Sequence, residues 1–245
     1  MKAIAPDGGY GNWMRRTMRP FPSDASLRRA LGSDFEAMGA IQLAILRHYG
    51  LRADASVVDV GCGPGRLAHA LDGFLTGPYL GTDPIAPFLR AARRSVTGPN
   101  FRFERVREIA IPAPDGSVDV VAFFSVFTHL LFEHTYQYLE EAKRVLAPRG
   151  FIVFSFHELA SPAQWNVFEA TVHHARNGIP RTLNIFIERP AIRAWADHLH
   201  LEVVDVRGGD EPFAPLGAPI RFASGVVQSG LGYLGQSVAV LARPQ

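Results

Sequence analysis

The sequence predicts an α/β fold in which helices cover both faces of a mostly parallel sheet. Two observations support this prediction. Short apolar runs alternate along the chain with segments that have the spacing of amphipathic helices. One run, residues 57–60, ends in the turn Gly61–Gly65, and a helical pattern begins directly afterwards at Arg66. A buried strand, a glycine turn and a helix N-terminus form the nucleotide-binding unit of Rossmann-like domains, so the predicted sheet is Rossmann-like.

The helices are predicted from apolar side chains that recur at intervals of three and four residues. The first begins at Ser33, which forms a capping-box pattern with Glu36, and it ends at Gly50. The helix after Asp83 opens with Pro84 and Pro87, because proline suits the first helical turn. Further helices are predicted at residues 66–73, 136–150, 162–176 and 190–199.

The strands are predicted from short runs rich in β-branched and aromatic residues, or from alternation of apolar and polar residues. These runs lie at residues 57–60, 79–82, 101–103, 117–124, 150–156, 201–206 and 237–242. Residues 208–235 are dense in glycine and proline, which predicts a long excursion rather than a tight hairpin before the last strand.

Composition narrows the class of protein. The 245 residues, 47% hydrophobic and 20% charged, fit one globular domain, which we place at 33–245 behind a tail or lid at 1–32. A net charge of +2 without a long basic block predicts no nucleic-acid partner.

No apolar run approaches the roughly 20 residues of a membrane helix, and residues 1–19 lack a signal-peptide core, so we expect a cytoplasmic protein without membrane insertion. Cys62 is the single cysteine, which excludes an intrachain disulfide and a cysteine-built zinc site.

The glycine turn carries the most specific signal. Gly61, Gly63 and Gly65 permit a close approach of backbone and ligand. Arg66 stands where the dinucleotide fingerprint has glycine or alanine, and Asp59 lies two residues before the first glycine. Residues 59–66 resemble motif I of class I S-adenosylmethionine (SAM) methyltransferases. SAM carries a sulfonium cation and an amino-acid tail, and a carboxylate beside the turn suits that charge.

The resemblance extends over residues 33–156. It includes the loop Ser125–Leu130, which reads SVFTHL after the fourth predicted strand, and the helix that ends in Val145–Gly150. One departure is Pro148-Arg149-Gly150, where relatives usually have Pro-Gly-Gly. The resemblance implies a seven-stranded class I methyltransferase sheet with an antiparallel C-terminal edge. It also implies SAM as cofactor, S-adenosyl-L-homocysteine (SAH) as product, and an acceptor that is a small molecule or a glycan precursor.

Further cofactor contacts are expected at strand ends. Asp83 lies about 20 residues past the turn, where an acidic side chain accepts hydrogen bonds from ribose hydroxyls. Val106 is expected at the adenine, where relatives often carry an acid and this chain has Arg107 in the matching place. The complete set predicted to bind SAM is Asp59, Gly61, Cys62, Gly63, Gly65, Arg66, Asp83, Pro84, Val106 and Ser125. No metal site is predicted.

Two histidines are the candidate residues for chemistry on the methyl acceptor. His129 and His157 follow the fourth and fifth predicted strands, and either one is a candidate general base for O-methylation. Glu158 is a candidate to orient them. Residues 157–184 exceed the usual length of a connection and are predicted to form a substrate cap, with a surface hairpin or a dimer contact as the alternatives. A lid over residues 1–32 would use Tyr10 and Trp13.

Two other functions stay open. The chain could bind SAM without transferring a methyl group, as a regulatory or scaffold protein. It could also be a dinucleotide-dependent oxidoreductase, which Arg66 and the absence of a Tyr-x-x-x-Lys pair disfavour. A monomer and a homodimer are both compatible with the sequence.

Overall fold

The computed structural model describes residues 34–179 and 183–244. Its centre is a seven-stranded sheet with the spatial order β3-β2-β1-β4-β5-β11-β6. The strands of this sheet are β1 (Val57–Val60), β2 (Tyr79–Thr82), β3 (Phe101–Glu104), β4 (Val118–Phe123), β5 (Leu146–Phe156), β6 (Glu202–Arg207) and β11 (Ser237–Ala242). The first five strands in the chain run parallel, and β11 lies antiparallel between β5 and β6. The predicted mostly parallel sheet with an antiparallel C-terminal edge is confirmed.

Six α-helices flank the sheet in the described part of the chain. They are α1 (Phe35–His48), α2 (Arg66–Leu71), α3 (Ala86–Arg94), α4 (Phe132–Val145), α5 (Pro162–Arg176) and α6 (Arg189–His198), with a short 3₁₀ turn at Phe127–His129. None of the helices within residues 34–179 and 183–244 is long and apolar enough to cross a membrane.

Burial explains why the apolar runs became strands. All four residues of β1 are buried, as are five of the six in β4, because helices cover both faces of a parallel sheet. Two clusters of buried side chains, one on each face, contain the residues that alternate along these strands. This packing holds the carboxyl ends of β1, β2, β3 and β4 in one row, at the edge where ligands bind in open α/β sheets.

Some predicted boundaries are wrong. The helix predicted to run to Gly150 ends at Val145, and residues 146–150 already belong to β5. The pairing of β4 with β5 shifts register between Val118 and Val120, which accommodates Pro148 and Gly150 inside the strand. Ser33 lies outside the described residues. Asp34 is the N-cap of α1 and makes no capping hydrogen bond with its side chain.

The segment between β6 and β11 contains four two-residue strands. They form two small antiparallel pairs, β7 (Ala214–Pro215) with β10 (Leu231–Gly232), and β8 (Ile220–Arg221) with β9 (Val227–Gln228). The predicted long connection before the last strand is therefore present. Its two short antiparallel pairs were not predicted, because the segment is rich in glycine and proline. The predicted lid over residues 1–32 lies outside the described residues, as do residues 180–182 of the predicted cap.

Candidate active site

A cavity of about 580 Å³ opens at the carboxyl ends of the parallel strands. This volume lies within the range of small-molecule and cofactor pockets. The structure brings nearly all the predicted cofactor residues to its wall, namely Asp59, Gly61, Cys62, Gly63, Arg66, Asp83, Pro84, Val106 and Ser125. His129 lines the same cavity. Gly65 and His157 do not belong to its lining.

The glycine turn has a conformation that side chains disfavour. Gly61, Gly63 and Gly65 have φ angles of +70°, +56° and +89°. A Cβ atom on Gly61 would lie 2.6 Å from Cγ2 of Val126 in the loop after β4. On Gly65 it would lie 2.8 Å from Cα of Ala92, so Gly65 permits packing of the turn against α3 rather than contact with a ligand.

Asp83 links the end of β2 to the turn. Its Oδ2 accepts a hydrogen bond of 3.1 Å from the amide of Gly63, and its Oδ1 accepts one of 2.7 Å from the amide of Ile85. Each carboxylate oxygen has a second lone pair, which leaves acceptor capacity for a ligand hydroxyl in the cavity. Burial raises the pKa of Asp83 to about 7, although the two amide hydrogen bonds favour the charged form.

Asp59 is the second buried carboxylate at the cavity. The hydroxyl of Tyr79 donates a hydrogen bond of 2.7 Å to Oδ2 of Asp59. Burial raises the pKa of Asp59 to about 7, the Tyr79 hydrogen bond lowers it, and the charge of Asp83 raises it further. Two carboxyl groups that share one cavity and titrate near neutrality form a site in which a cation favours their charged forms.

Ser125 occupies a strained position after β4. Its φ angle is +60°, which is rare for a residue with a Cβ atom. The amide of Ser125 donates to Oγ of Ser155 at 2.7 Å, and its hydroxyl donates to Oε1 of Gln236 at 3.1 Å. The Ser155 hydroxyl donates to the same Oε1 at 2.7 Å, so the two partners of Ser125 also hold each other. Strain that neighbouring groups maintain is typical of functional loops. The bonds fix the loop that carries His129.

His129 has a defined tautomer. Its Nδ1 lies 2.7 Å from the carbonyl oxygen of Leu183. A carbonyl oxygen only accepts hydrogen bonds, so Nδ1 carries the proton and Nε2 of the neutral ring keeps a lone pair. Burial lowers the pKa of His129, which favours the neutral ring.

His157 has different surroundings. It is buried at the end of β5, its ring lies 5.5 Å from that of Phe186, and its Nδ1 makes no hydrogen bond with the described residues. Burial and the neighbouring His129 lower the pKa of His157 to about 4. His157 does not line the cavity, and its role as a base stays a prediction.

Glu158 does not orient either histidine in the structure. Arg189 donates two hydrogen bonds to it, at 2.9 and 3.0 Å, and the Ser237 hydroxyl donates one of 2.7 Å. Gln164, the buried residue of α5, accepts a hydrogen bond from the amide of Glu158 and donates one to Ser237. This network fixes the start of the predicted cap to β11. The described lining of the cavity includes no residue of α5.

Sequence reasoning missed several residues of the cavity. They come from α1, from β2 and α3, from the loop after β4 and from α4, and they include Gln42, Thr82, Phe88, Phe124, Leu130 and Tyr138. Most are apolar or aromatic, and in the sequence they are indistinguishable from core residues. Gln42 was detectable in principle as a polar residue beside Ile41 and Ile45 on the apolar face of α1.

The middle of the chain is similar in sequence to known methyltransferases. Residues 58–154 match the family model of a methyltransferase domain. An uncharacterized methyltransferase of Mycobacterium tuberculosis is 33% identical over 133 residues, which is 54% of this chain and 50% of the relative. One from Mycobacterium ulcerans is 33% identical over 104 residues, 42% of this chain and 40% of the relative. The chain thus spans at most about half the length of the curated relatives it matches.

Solved structures share the fold at low sequence identity. A Haloferax volcanii chain from a complex with the Trm112 methyltransferase activator has a TM-score of 0.63 at 19% identity, covering 91% of this chain and 97% of that one. A SAM-dependent methyltransferase of Aquifex aeolicus has a TM-score of 0.59 at 16% identity, covering 90% and 97%. The Synechocystis magnesium protoporphyrin IX methyltransferase, solved with bound SAH, has a TM-score of 0.60 at 13% identity, covering 96% and 94%. The architecture is the class I methyltransferase fold.

Proposed function

We propose that this chain is a SAM-dependent methyltransferase that transfers a methyl group to a hydroxyl of a small-molecule or sugar-type acceptor. The observation that carries the proposal is the meeting of the glycine turn with two buried carboxylates, Asp59 and Asp83, in one cavity. The match of residues 58–154 to a methyltransferase domain and the class I fold support it.

The two carboxylates and the apolar wall of the cavity support SAM as the ligand. Asp83 would accept hydrogen bonds from the ribose hydroxyls, and the charge of Asp59 would favour the α-ammonium of the tail. Val106, Leu130 and Tyr138 provide an apolar wall of the kind that a purine base packs against. Gly61 and Gly63 of the turn also line this cavity.

The residues of the chain then do three things. When bound, SAM supplies a methyl group that its sulfonium already activates. Asp59, Asp83 and the turn would hold the donor in a single orientation, and the fixed loop from Ser125 to His129 would hold the acceptor beside it. The Nε2 lone pair of His129 would take the proton of the acceptor hydroxyl as the new O–C bond forms and the S–C bond to the methyl group breaks, with SAH as the leaving group.

The cap remains part of this proposal. The carbonyl of Leu183, near the end of residues 157–184, contacts His129, and the amide of Ile185 donates a 2.8 Å hydrogen bond to the carbonyl of Thr128. These contacts join the returning limb of the segment to the loop after β4. An acceptor bound over β4 and β5 would lie beneath the segment.

Thermal melting with SAM, SAH and NAD in parallel tests the cofactor assignment. SAH at 100 times its Kd is expected to stabilise the fold by about 2.7 kcal/mol. A larger melting shift with NAD would instead support the dinucleotide-dependent oxidoreductase. Product analysis with alcohols and sugar conjugates as acceptors tests the transfer itself. Binding of SAM without methylation of any acceptor would favour the regulatory alternative, and transfer only to nitrogen or carbon would exclude O-methylation.

A further inference from the structure

Gln42 presents an unusual polar group to the cavity. The side chain is 3% exposed, and its Oε1 makes no hydrogen bond with the described residues. Buried polar atoms of proteins nearly always have a partner, because an unpaired one loses its hydration without compensation. Gln42 nevertheless belongs to the cavity wall. A buried acceptor without a protein partner at a ligand cavity indicates that a ligand supplies the hydrogen.

The packing of α1 explains why Gln42 reaches this place. A Cβ atom on Gly39 would lie 2.8 Å from the carbonyl oxygen of Arg66, so glycine brings α1 against the first turn of α2. Gln42 follows Gly39 by three residues and therefore shares the same face of α1. Its amide thus lies beside the start of α2, next to the glycine turn.

The neighbouring charge restricts the ligand group. Asp59 lines the same cavity, and its Oδ2 accepts a hydrogen bond from the Tyr79 hydroxyl. A carboxylate oxygen and an amide oxygen both accept hydrogen bonds, so a ligand group that meets both must donate more than one. An ammonium has three N–H donors and a positive charge. The sulfonium of SAM has no hydrogen to donate, and its adenine amino group is uncharged.

We propose that Oε1 of Gln42 accepts a hydrogen bond from the α-ammonium of the amino-acid tail of SAM, beside the carboxylate of Asp59. This inference rests on the proposed function, because it assigns a contact of the same cofactor. Gln42 is then a residue that selects ligands with an amino-acid tail.

Calorimetry with two ligands tests the proposal. The first is SAH, and the second is its desamino analogue, in which hydrogen replaces the α-ammonium. Wild-type protein is expected to bind SAH at least tenfold more tightly than the analogue. Gln42→Met removes the acceptor at similar volume, so SAH affinity is expected to fall about tenfold to hundredfold while affinity for the analogue stays within threefold. Gln42→Glu restores an acceptor and is expected to keep the preference for SAH.

Melting of the unliganded protein provides a second readout. Because Oε1 has no partner in the described structure, Gln42→Met is expected to leave the melting temperature unchanged or to raise it. Gln164→Met is the matched control, since Gln164 is equally buried but hydrogen-bonded to Glu158 and Ser237. This control is expected to lower the melting temperature and to leave the ratio of the two ligand affinities unchanged.

Three results would overturn the inference. Gln42→Met could weaken both ligands equally, leave both unchanged, or lower the melting temperature as Gln164→Met does. A decarboxylated analogue of SAH separates the two polar atoms of the Gln42 amide. If Gln42→Met lost the preference for SAH over this analogue instead, the amide nitrogen would donate to the carboxylate of the tail, which also contradicts the proposal. Failure of the wild type to bind SAH at all would refute the proposed function itself and is a distinct outcome.

Discussion

The amide of Gly63 donates a hydrogen bond to the carboxylate of Asp83, so the turn after β1 and the end of β2 form one unit. The amide of Ile85 also donates to this carboxylate, so Asp83 is the hydrogen-bond acceptor of two backbone amides. Asp83 therefore has a structural role in addition to the ribose contact that we propose. A substitution at this position should affect both ligand binding and the local fold.

Asp83→Ala is expected to weaken SAH binding at least tenfold and to lower the melting temperature. The first effect follows from loss of a charged acceptor, worth about 1.5–3 kcal/mol, and the second from two amides without a partner. Asp83→Asn keeps one acceptor oxygen and should retain more stability. Calorimetry and thermal melting measure the two effects separately. Unchanged SAH affinity in Asp83→Ala would rule out the ribose contact.

SAH affinity is expected to rise with pH from 5.5 to 7 and to level off above. The pKa values of Asp59 and Asp83 are both about 7 in the unliganded protein, mainly because the groups are buried. The α-ammonium of the tail favours ionised Asp59, and ribose hydroxyls that donate to Asp83 favour its charged form, so binding below pH 7 must release protons. Affinity then changes up to tenfold per pH unit for each proton released. Calorimetry at pH 6 in buffers of different ionisation enthalpy counts the protons, and Asp59→Asn should reduce that count.

His129→Ala is expected to lower turnover by about 10²–10⁴-fold while SAH affinity stays nearly unchanged. His129→Asn separates two roles, because the asparagine amide can still donate to the carbonyl of Leu183 but offers no base. It should therefore be as slow as the alanine variant and fold as well as the wild type. His157→Ala serves as the comparison. Near-normal turnover of both His129→Ala and His157→Ala between pH 6 and 9 would show that catalysis needs no histidine base.

Gly61→Ala is expected to destabilise the protein and to weaken SAH binding. The new Cβ would lie 2.6 Å from Cγ2 of Val126, and alanine disfavours a φ angle of +70°. Val126→Ala removes the clashing methyl group but not the backbone strain, so the double variant should recover only part of the melting temperature. Full recovery would attribute the whole effect to the clash, and no recovery would attribute it to the backbone.

Arg107→Asp is expected to tighten SAH binding by about threefold to tenfold. Arg107 lines the cavity beside Val106, and a carboxylate there would accept a hydrogen bond from the adenine amino group. Arg105→Asp makes the same change of charge at another residue of the cavity lining, whose Nε donates to the carbonyl of Pro84. It is the control for a general charge effect. Equal gains in both variants would contradict a specific contact at position 107.

The parts of the fold that were predicted correctly are those with a strong local pattern. β1, the turn and the start of α2 follow from three glycines and an apolar run, and this unit contains six of the ten predicted cofactor residues. The end of α4 was predicted incorrectly because Pro148 and Gly150 normally mark a turn. In the structure they lie within β5, where a register shift against β4 accommodates them.

The remaining parts of the site depend on contacts between distant segments. Gln42 becomes a cavity residue only because Gly39 packs against Arg66, and no spacing rule relates positions 42 and 59. Similarly, the tautomer of His129 is set by the carbonyl of Leu183, which lies 54 residues away in the chain. Sequence patterns identify the chemistry of single residues, whereas such pairings arise from tertiary packing.

The position of β11 has a consequence for biosynthesis. This strand is the last of the sheet to be made, yet it lies between β5 and β6, and Gln236 immediately before it holds Ser125. A chain that is still emerging from the ribosome therefore has two unpaired strand edges and a loop after β4 without its anchor. Such edges favour aggregation, so the nascent chain is most exposed to misfolding just before β11 appears. The anchor of the loop that carries His129 can therefore form only after Gln236 has been made.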